Sequence, residues 1–457
     1  MVDAARSSGA VTTLPPGPKG SFLTGNLSEY VPDQLGFLTR TAKKYGDVVR
    51  LRFLNVPLYL LNHPDHVEYV LVKNNRNFIK DRAERSGLRF LGQGLLTSEG
   101  DHWRRQRRLA QPAFHRQRIS AYGRTMVESA ERMLDLSWRD GETREVQEDM
   151  SRLTLEIVSN TLFGAAITEN LEEEVADALG VVMERFTGGI LFKVPEGIPT
   201  PANLRFRRAI RRLEEIIYGI IRERRRRAPD EETGDLLSML LAVRDEATGE
   251  GMSDRQLRDE VLTIFLAGHE TTALNLSWTW HLLAGHTGVE AKLHDELRET
   301  LGGRAPTMAD LPGLRYADAV VKESTRLYPP VWGFGREALQ DCEIGGFRVP
   351  TGTQVVVSPW VMHRDERYFE NPETFRPKRW LDGSTDVLPK YAYFPFGGGP
   401  RLCIGSGFAK MEAVLLLATI AQRFRLRHAP GQETVEPLPS LTLRPRSGLR
   451  MVLAERG

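Results

Sequence analysis

Residues 396–405 read Phe396-Gly397-Gly398-Gly399-Pro400-Arg401-Leu402-Cys403-Ile404-Gly405. Three successive glycines and a proline give a backbone that is free of side-chain bulk and fixed at one dihedral. It can therefore turn tightly and approach a flat ligand closely. Arg401 precedes the cysteine by two residues, and Cys403 opens an apolar helical pattern that runs to about residue 422. Backbone N–H groups and the dipole at a helix start favour thiolate over thiol, and a bound metal would remove the proton outright. From the residues alone, the string is either a thiolate ligand loop or a glycine-rich turn before a buried structural cysteine. The ten-residue order favours the ligand loop.

The rest of the chain narrows the class. The only other cysteine is Cys342, in a strand-like, turn-flanked segment, so a disulfide framework and a cysteine-built zinc cluster are excluded. Lys and Arg number 62 against 60 Asp and Glu, so no overall charge argues for nucleic acid. Hydrophobic residues at 41% and charged residues at 27% are an ordinary globular mix. Residues 1–20, ending in Leu14-Pro15-Pro16-Gly17-Pro18, read as a disordered segment with a stiff proline hinge. They lack the apolar core of a signal peptide, and nowhere is there a run of ~18 apolar residues. A cytoplasmic protein without a membrane span is expected, with residues 21–457 forming one domain.

Periodicity predicts a mainly α protein with a minor sheet. Residues 47–53 and 57–62 read as a β-hairpin around Leu54-Asn55-Val56, although its loop lacks glycine. Helical patterns follow from about 101 to 300, broken near Gly141, Gly188–Pro201 and Pro229–Gly234. The prolines of 194–201 exclude a helix interior there. Another helix spans 315–328, stopped by Pro329-Pro330, and a strand covers 353–358.

The helix from about Ser253 to Leu283 is apolar nearly all round beyond Val261, which implies burial. It nevertheless carries Ala267-Gly268-His269-Glu270-Thr271-Thr272. An acid and two hydroxyls there are costly unless paired or functional. Either they serve a ligand lying against Gly268, or they are core polar groups bonded to carbonyls of their own helix. Glu323 and Arg326, three apart, share a helical face.

The Phe396–Gly405 string closely resembles the haem-binding loop of cytochromes P-450, and Phe408-Ala409-Lys410-Met411-Glu412 continues the likeness. The Ala267–Thr272 segment resembles that family's oxygen-activation motif. Phe375-Arg376-Pro377-Lys378-Arg379-Trp380 resembles the loop that adds a second arginine to the Glu323–Arg326 pair, with Lys378 where the family usually has Glu. The resemblance spans nearly the whole chain. It implies the family's triangular, mainly α domain with a small β-rich region, and one haem b held through Cys403 within the Phe396–Gly405 loop. Trp103, Arg107, Arg336 and Arg401 then match positions that hold the haem propionates; His102 and His363 could assist. Thr271 and Glu270 are the catalytic pair, relaying protons during oxygen activation, a role typically worth ~10²–10⁴ in rate. Glu323, Arg326 and Arg379 form a structural network.

The implied chemistry is insertion of one oxygen atom from dioxygen into an apolar organic substrate, by hydroxylation or epoxidation. No flavin or iron–sulfur segment follows the final helix, so electrons come from a separate ferredoxin or flavodoxin and its reductase. A monomer is expected. A fatty acid, a terpenoid or a macrolide-like compound are all open as substrates, bordered by residues 82–97, 185–201, 262–271, 329–335 and 437–441. A haem-binding sensor or carrier would need no proton relay, and peroxide-using relatives often lose the acid–Thr pair that this chain keeps. Arg222 and Arg224–Arg227 read as a solvated helix end. Arg104, Arg105 and Arg108 either line a docking face for an acidic electron carrier or are plain surface charge.

Overall fold

The computed structural model describes residues 14–164, 169–186, 197–226, 235–245 and 249–456. The chain divides into two compact units. One comprises Met1–Arg82, Gly333–Pro372 and Pro389–Leu402; the other comprises Ala83–Trp332, Glu373–Leu388 and Cys403–Gly457.

The first unit is the β-rich one. Its five-stranded sheet runs in the order Val48–Phe53, Val56–Leu61, Gln354–Val357, Phe334–Ala338, Phe78–Lys80. The first two strands form the predicted antiparallel hairpin, with Phe53 opposite Val56. Its tight turn needs a left-handed residue, and Leu54 takes that place at φ 56°. Leu54 is exposed, so only backbone strain opposes the conformation. Val48, Tyr59, Val67, Val349 and Phe394 close a core on this sheet.

The second unit is helical and holds two apolar clusters. Its axis is the helix Asp254–Gly285, which starts with a reciprocal cap: Ser253 Oγ accepts from the Gln256 N–H while Gln256 Oε1 accepts from the Ser253 N–H. Its 32 residues extend about 48 Å. Trp278 stacks on Tyr328 with ring centroids 4.1 Å apart, and its Nε1 donates to the Leu443 carbonyl at 2.9 Å. That bond pins the short strand Leu443–Pro445 beside the helix, a placement the site depends on.

Glu323 and Arg326, on the helix Arg315–Leu327, are both fully buried. Arg326 donates from Nε and Nη2 to the two Glu323 oxygens at 3.0 and 2.8 Å. Arg379 Nε (2.9 Å), the Arg376 N–H (3.0 Å) and Trp380 Nε1 (2.8 Å) complete the shell. Burial pushes the Glu323 carboxyl up, but Arg326 and Arg379 outweigh it and hold the group below its ordinary value. Lys378 is exposed and has no acid partner among the described residues, so the Lys–Glu exchange leaves this network intact.

One reading of a basic residue needs correction. Arg224 is buried and pairs with Asp235, because its helix turns it inward rather than into solvent. Of the 185–201 segment, residues 187–196 lie outside the described residues, as do Arg227 and the 229–234 break. No helix among the described residues is long and apolar enough to cross a membrane.

Candidate functional site

The loop before Cys403 is shaped by its own neighbours. Gly399, at φ 64°, would drive a Cβ to 1.9 Å from the Leu71 carbonyl oxygen, and Gly398 would drive one to 2.3 Å from the Tyr391 ring. These two glycines therefore permit close packing within the protein. A Cβ at Gly405 would meet only Phe114, at 3.9 Å.

The final helix spans Ser406–Arg423 with Gly405 as its cap, so Cys403 precedes the helix instead of opening it. The Gly405 N–H still points at the sulfur. Burial pushes the Cys403 thiol up, while that N–H and the Arg107 guanidinium favour the thiolate. Cys403 is nevertheless exposed, so the crowding is one-sided and one face of the residue is open.

A second open face lies in the same unit. From Leu257 to Trp280 the long helix is buried at every position except Ile264, Ala267, Gly268 and Thr271. Their spacing of three and four places them in one stripe. Ile264, Ile404, Phe114 and Leu441 all pack, partly buried, on one apolar cluster, so the stripe and the residue after Cys403 border the same core. The missing Cβ of Gly268 also leaves room for Val158, at 3.3 Å, and so lets the helix Val146–Phe163 close in.

Thr271 and Glu270 diverge. The Thr271 hydroxyl donates to the Ala267 carbonyl at 2.8 Å, which leaves its oxygen as an acceptor on the open stripe. Glu270 is buried and turned aside: Arg444 Nη2 lies 2.6 Å from Oε1, and Thr442 Oγ donates to the same oxygen at 3.2 Å. Arg444 was missed by sequence reasoning. It stands on the strand that Trp278 pins, and only that packing brings it to the acid. His269 is buried with Nδ1 on the Phe265 carbonyl at 2.9 Å, and burial holds its pKa down.

Glu412 was quoted only as part of a motif. It is fully buried, with neither carboxyl oxygen hydrogen-bonded among the described residues. Burial pushes it up from 4.5 to about 8, opposed only by nearby Thr272. The folded protein thus keeps a proton that the unfolded chain sheds above about pH 4.5, so this group's contribution to stability falls as pH rises towards 8 and is flat beyond it. The thermal midpoint of wild type relative to Glu412→Gln should decline across that window. A pH-independent difference would show that Glu412 does not titrate there. Glu260, likewise pushed up by burial to about 8, is common to both proteins and cancels.

The expected propionate partners divide between the units. Trp103 and Arg107 are half-buried one turn apart on the helix Gly100–Ala110, and burial lowers the Arg107 pKa while Cys403 opposes that shift. In the other unit, Phe396 and Arg401 are half-buried, and Arg336 is buried on the strand Phe334–Ala338. Its Nη1 donates to the Gly335 carbonyl at 2.6 Å, and among the described residues no acid pairs with it. A buried guanidinium without a counter-charge fits an anionic cofactor group. His363 is a core residue, its Nε2 accepting from the Phe394 N–H at 3.0 Å, and His102 lies 3.3 Å from the Gln93 carbonyl. Arg104 pairs with Asp101, and Arg105 and Arg108 both reach Asp245, so internal acids already occupy the charges considered for a docking face.

The family profile described as Cytochrome P450 matches residues 15–451. Cyclooctatin synthase of Streptomyces melanosporofaciens is 39% identical, over 93% of this chain and 92% of that protein. Cyclooctat-9-en-7-ol 5-monooxygenase of the same organism is also 39% identical, over 85% of this chain and 84% of that protein. Pentalenene oxygenase of Streptomyces avermitilis is 36% identical, over 90% and 91%. A solved structure titled "Retinoic acid bound cyanobacterial CYP120A1" superposes with a TM-score of 0.84 at 27% identity, covering 97% of this chain and 99% of that one.

Proposed function

The chain belongs to the cytochrome P450 family, and on that premise we propose how its own residues carry out oxygen insertion into a terpenoid. It is a haem-thiolate monooxygenase that inserts one atom of dioxygen into an apolar organic substrate. When bound, haem would supply the redox chemistry, and a cysteine thiolate ligand would donate the electron density that favours O–O cleavage.

Our reading assigns the cofactor as haem b and its iron ligand as Cys403, within a loop that includes Phe396 and Gly405. Trp103, Arg107, Arg336 and Arg401 would hold the propionates. The open residue at Cys403, the Gly405 N–H aimed at its sulfur and the buried Arg336, with no acid partner among the described residues, support this. A terpenoid substrate is supported by two relatives whose names refer to cyclooctat-9-en-7-ol and pentalenene. Electrons come from a ferredoxin or flavodoxin and its reductase. Both cysteines are free thiols, which suits a reducing cytoplasm.

The observation that carries the mechanism is the open stripe Ile264–Ala267–Gly268–Thr271 on an otherwise buried helix. Ile264 and Ala267 present apolar surface to the substrate. Thr271, its own hydrogen held by the Ala267 carbonyl, accepts a hydrogen bond from a proton carrier and so orders it at the stripe. Glu270 joins this route only by exchanging Arg444 for a proton donor, so Arg444 sets how readily the acid can act.

Thr271→Ala should keep haem and substrate binding but waste reducing equivalents. General acid steps are typically worth ~10²–10⁴ in rate, so product formation should fall further than NADH or NADPH consumption, the difference appearing as hydrogen peroxide. Product per electron pair is measured with surrogate redox partners. An unchanged ratio would leave the hydroxyl a mere bond to its own helix and remove Thr271 from the mechanism.

A further inference from the structure

The helix Pro201–Arg226, the start of the long helix and the turn at Arg89 border a cleft of about 440 Å³. Five arginines line it: Arg89, Arg207, Arg211, Arg255 and Arg258. Its two acids are already engaged. Arg258 takes both Asp259, at 2.7 Å, and Glu214, and Asp259 also accepts the Gln93 N–H at 2.8 Å. The other four arginines have no acid partner among the described residues, though Arg207 and Arg211 each reach a carbonyl of their own helix at 3.4 Å.

A solvated basic helix face is the plain alternative, and the same helix argues against it. Arg205 and Arg212, on its opposite side, each have a carboxylate partner, from Glu184 and Glu174. The cleft side instead places Arg207 and Arg211 one turn apart, where like charges repel. A guanidinium cluster of this kind matches the fork geometry of a carboxylate.

The cleft is also half apolar. The Phe90 and Phe206 rings meet edge to face at 5.5 Å, and Phe90 lies 5.9 Å from Phe186. Ser440 Oγ donates to the Phe186 carbonyl at 2.6 Å, next to Leu441, which packs with Ile264 on the same cluster. Arg255 and Ile264, nine residues apart on one helix, are separated by about 14 Å along its axis, comparable with an extended terpenoid skeleton.

We propose that this cleft holds the carboxylate of an acidic terpenoid. Arg89, Arg207, Arg211 and Arg255 take the head group, and the hydrocarbon body passes Phe90 towards the Ile264–Thr271 stripe. The inference rests on the monooxygenase reading of that stripe. It adds a substrate class: the preferred substrate carries an acid at the end remote from the oxidised carbon.

Calorimetric titration of the ferric holoenzyme with all-trans-retinoic acid and with all-trans-retinol tests it. Wild type should bind the acid at least about tenfold more tightly than the alcohol. The double variant Arg89→Ala/Arg211→Ala, both exposed positions, should bring the two within about twofold by weakening the acid alone. Arg211→Lys, which keeps charge without the fork, should fall between them. Equal affinities in wild type, no binding of the acid, or an advantage that survives the double variant would each overturn the site. A normal carbon-monoxide band alongside any of those results discards the cleft and leaves the monooxygenase reading standing; absence of that band in wild type discards both.

Discussion

Cys403→Ala should abolish the carbon-monoxide difference band of the reduced protein, a complete loss and not a shift. The reason is that no other thiol can stand in. Cys342, the one remaining cysteine, lies half-buried on the strand Cys342–Ile344. Burial pushes its thiol up, with Asn77 and Tyr69 as its side-chain hydrogen-bond partners. Burial pushes the Cys403 thiol up as well, opposed by the Gly405 N–H and Arg107, so what separates the two is that Cys403 is exposed while Cys342 is half-buried. A band surviving in Cys403→Ala would refute the ligand assignment, whereas Cys342→Ala should leave the band unchanged.

The second large effect is on folding. Glu323→Ala should yield little folded holoprotein. It strips Arg326, fully buried, and Arg379, nearly so, of the carboxylate they share. Breaking a buried pair by removing one partner costs ~3–5 kcal/mol, against a total stability of about 5–15 kcal/mol for a typical protein. The Trp380 indole and the Arg376 N–H lose their acceptor as well. Arg326→Ala should be nearly as severe, since Glu323 keeps Arg379 but loses its two-point partner. Soluble yield, haem content and thermal midpoint report the outcome. Haem-replete variants with wild-type midpoints would contradict the structural role.

The contrast between those two sites shows how far the sequence could be read. The Cys403 loop is a local object. Its order of glycines, arginine and cysteine lies within ten residues, and local order is what a sequence displays. The same holds for the long helix, whose apolar period and Ser253 cap are contiguous, and for the hairpin around Leu54. The Glu323–Arg326 pair was visible as a helical face, but a three-residue spacing says nothing of burial. Most such pairs sit in water and contribute little; the loop 374–380 closing over this one makes it a core network.

The sequence said least where a residue's purpose depends on what packs beside it. Gly398, Gly399 and Gly268 were legible as missing side chains, but Tyr391, Leu71 and Val158 are what fill the space. Arg224 looked like a solvated helix end until Asp235 met it in the interior.

By itself the sequence determined the family, the mainly α architecture, the glycine-rich loop before Cys403 and the helix that carries Thr271, because each is set by neighbours along the chain. Only the tertiary structure decided that Thr271 is on an open stripe while Glu270, the next residue, is turned to Arg444 and Thr442, the latter 172 residues away. It also decided that Glu412 is sealed from water and that four arginines with no acid partner among the described residues share one cleft. The physical reason is the same in every case. The charge and size of a side chain belong to its own residue, whereas its solvation and its partner are supplied by distant segments that only folding brings together.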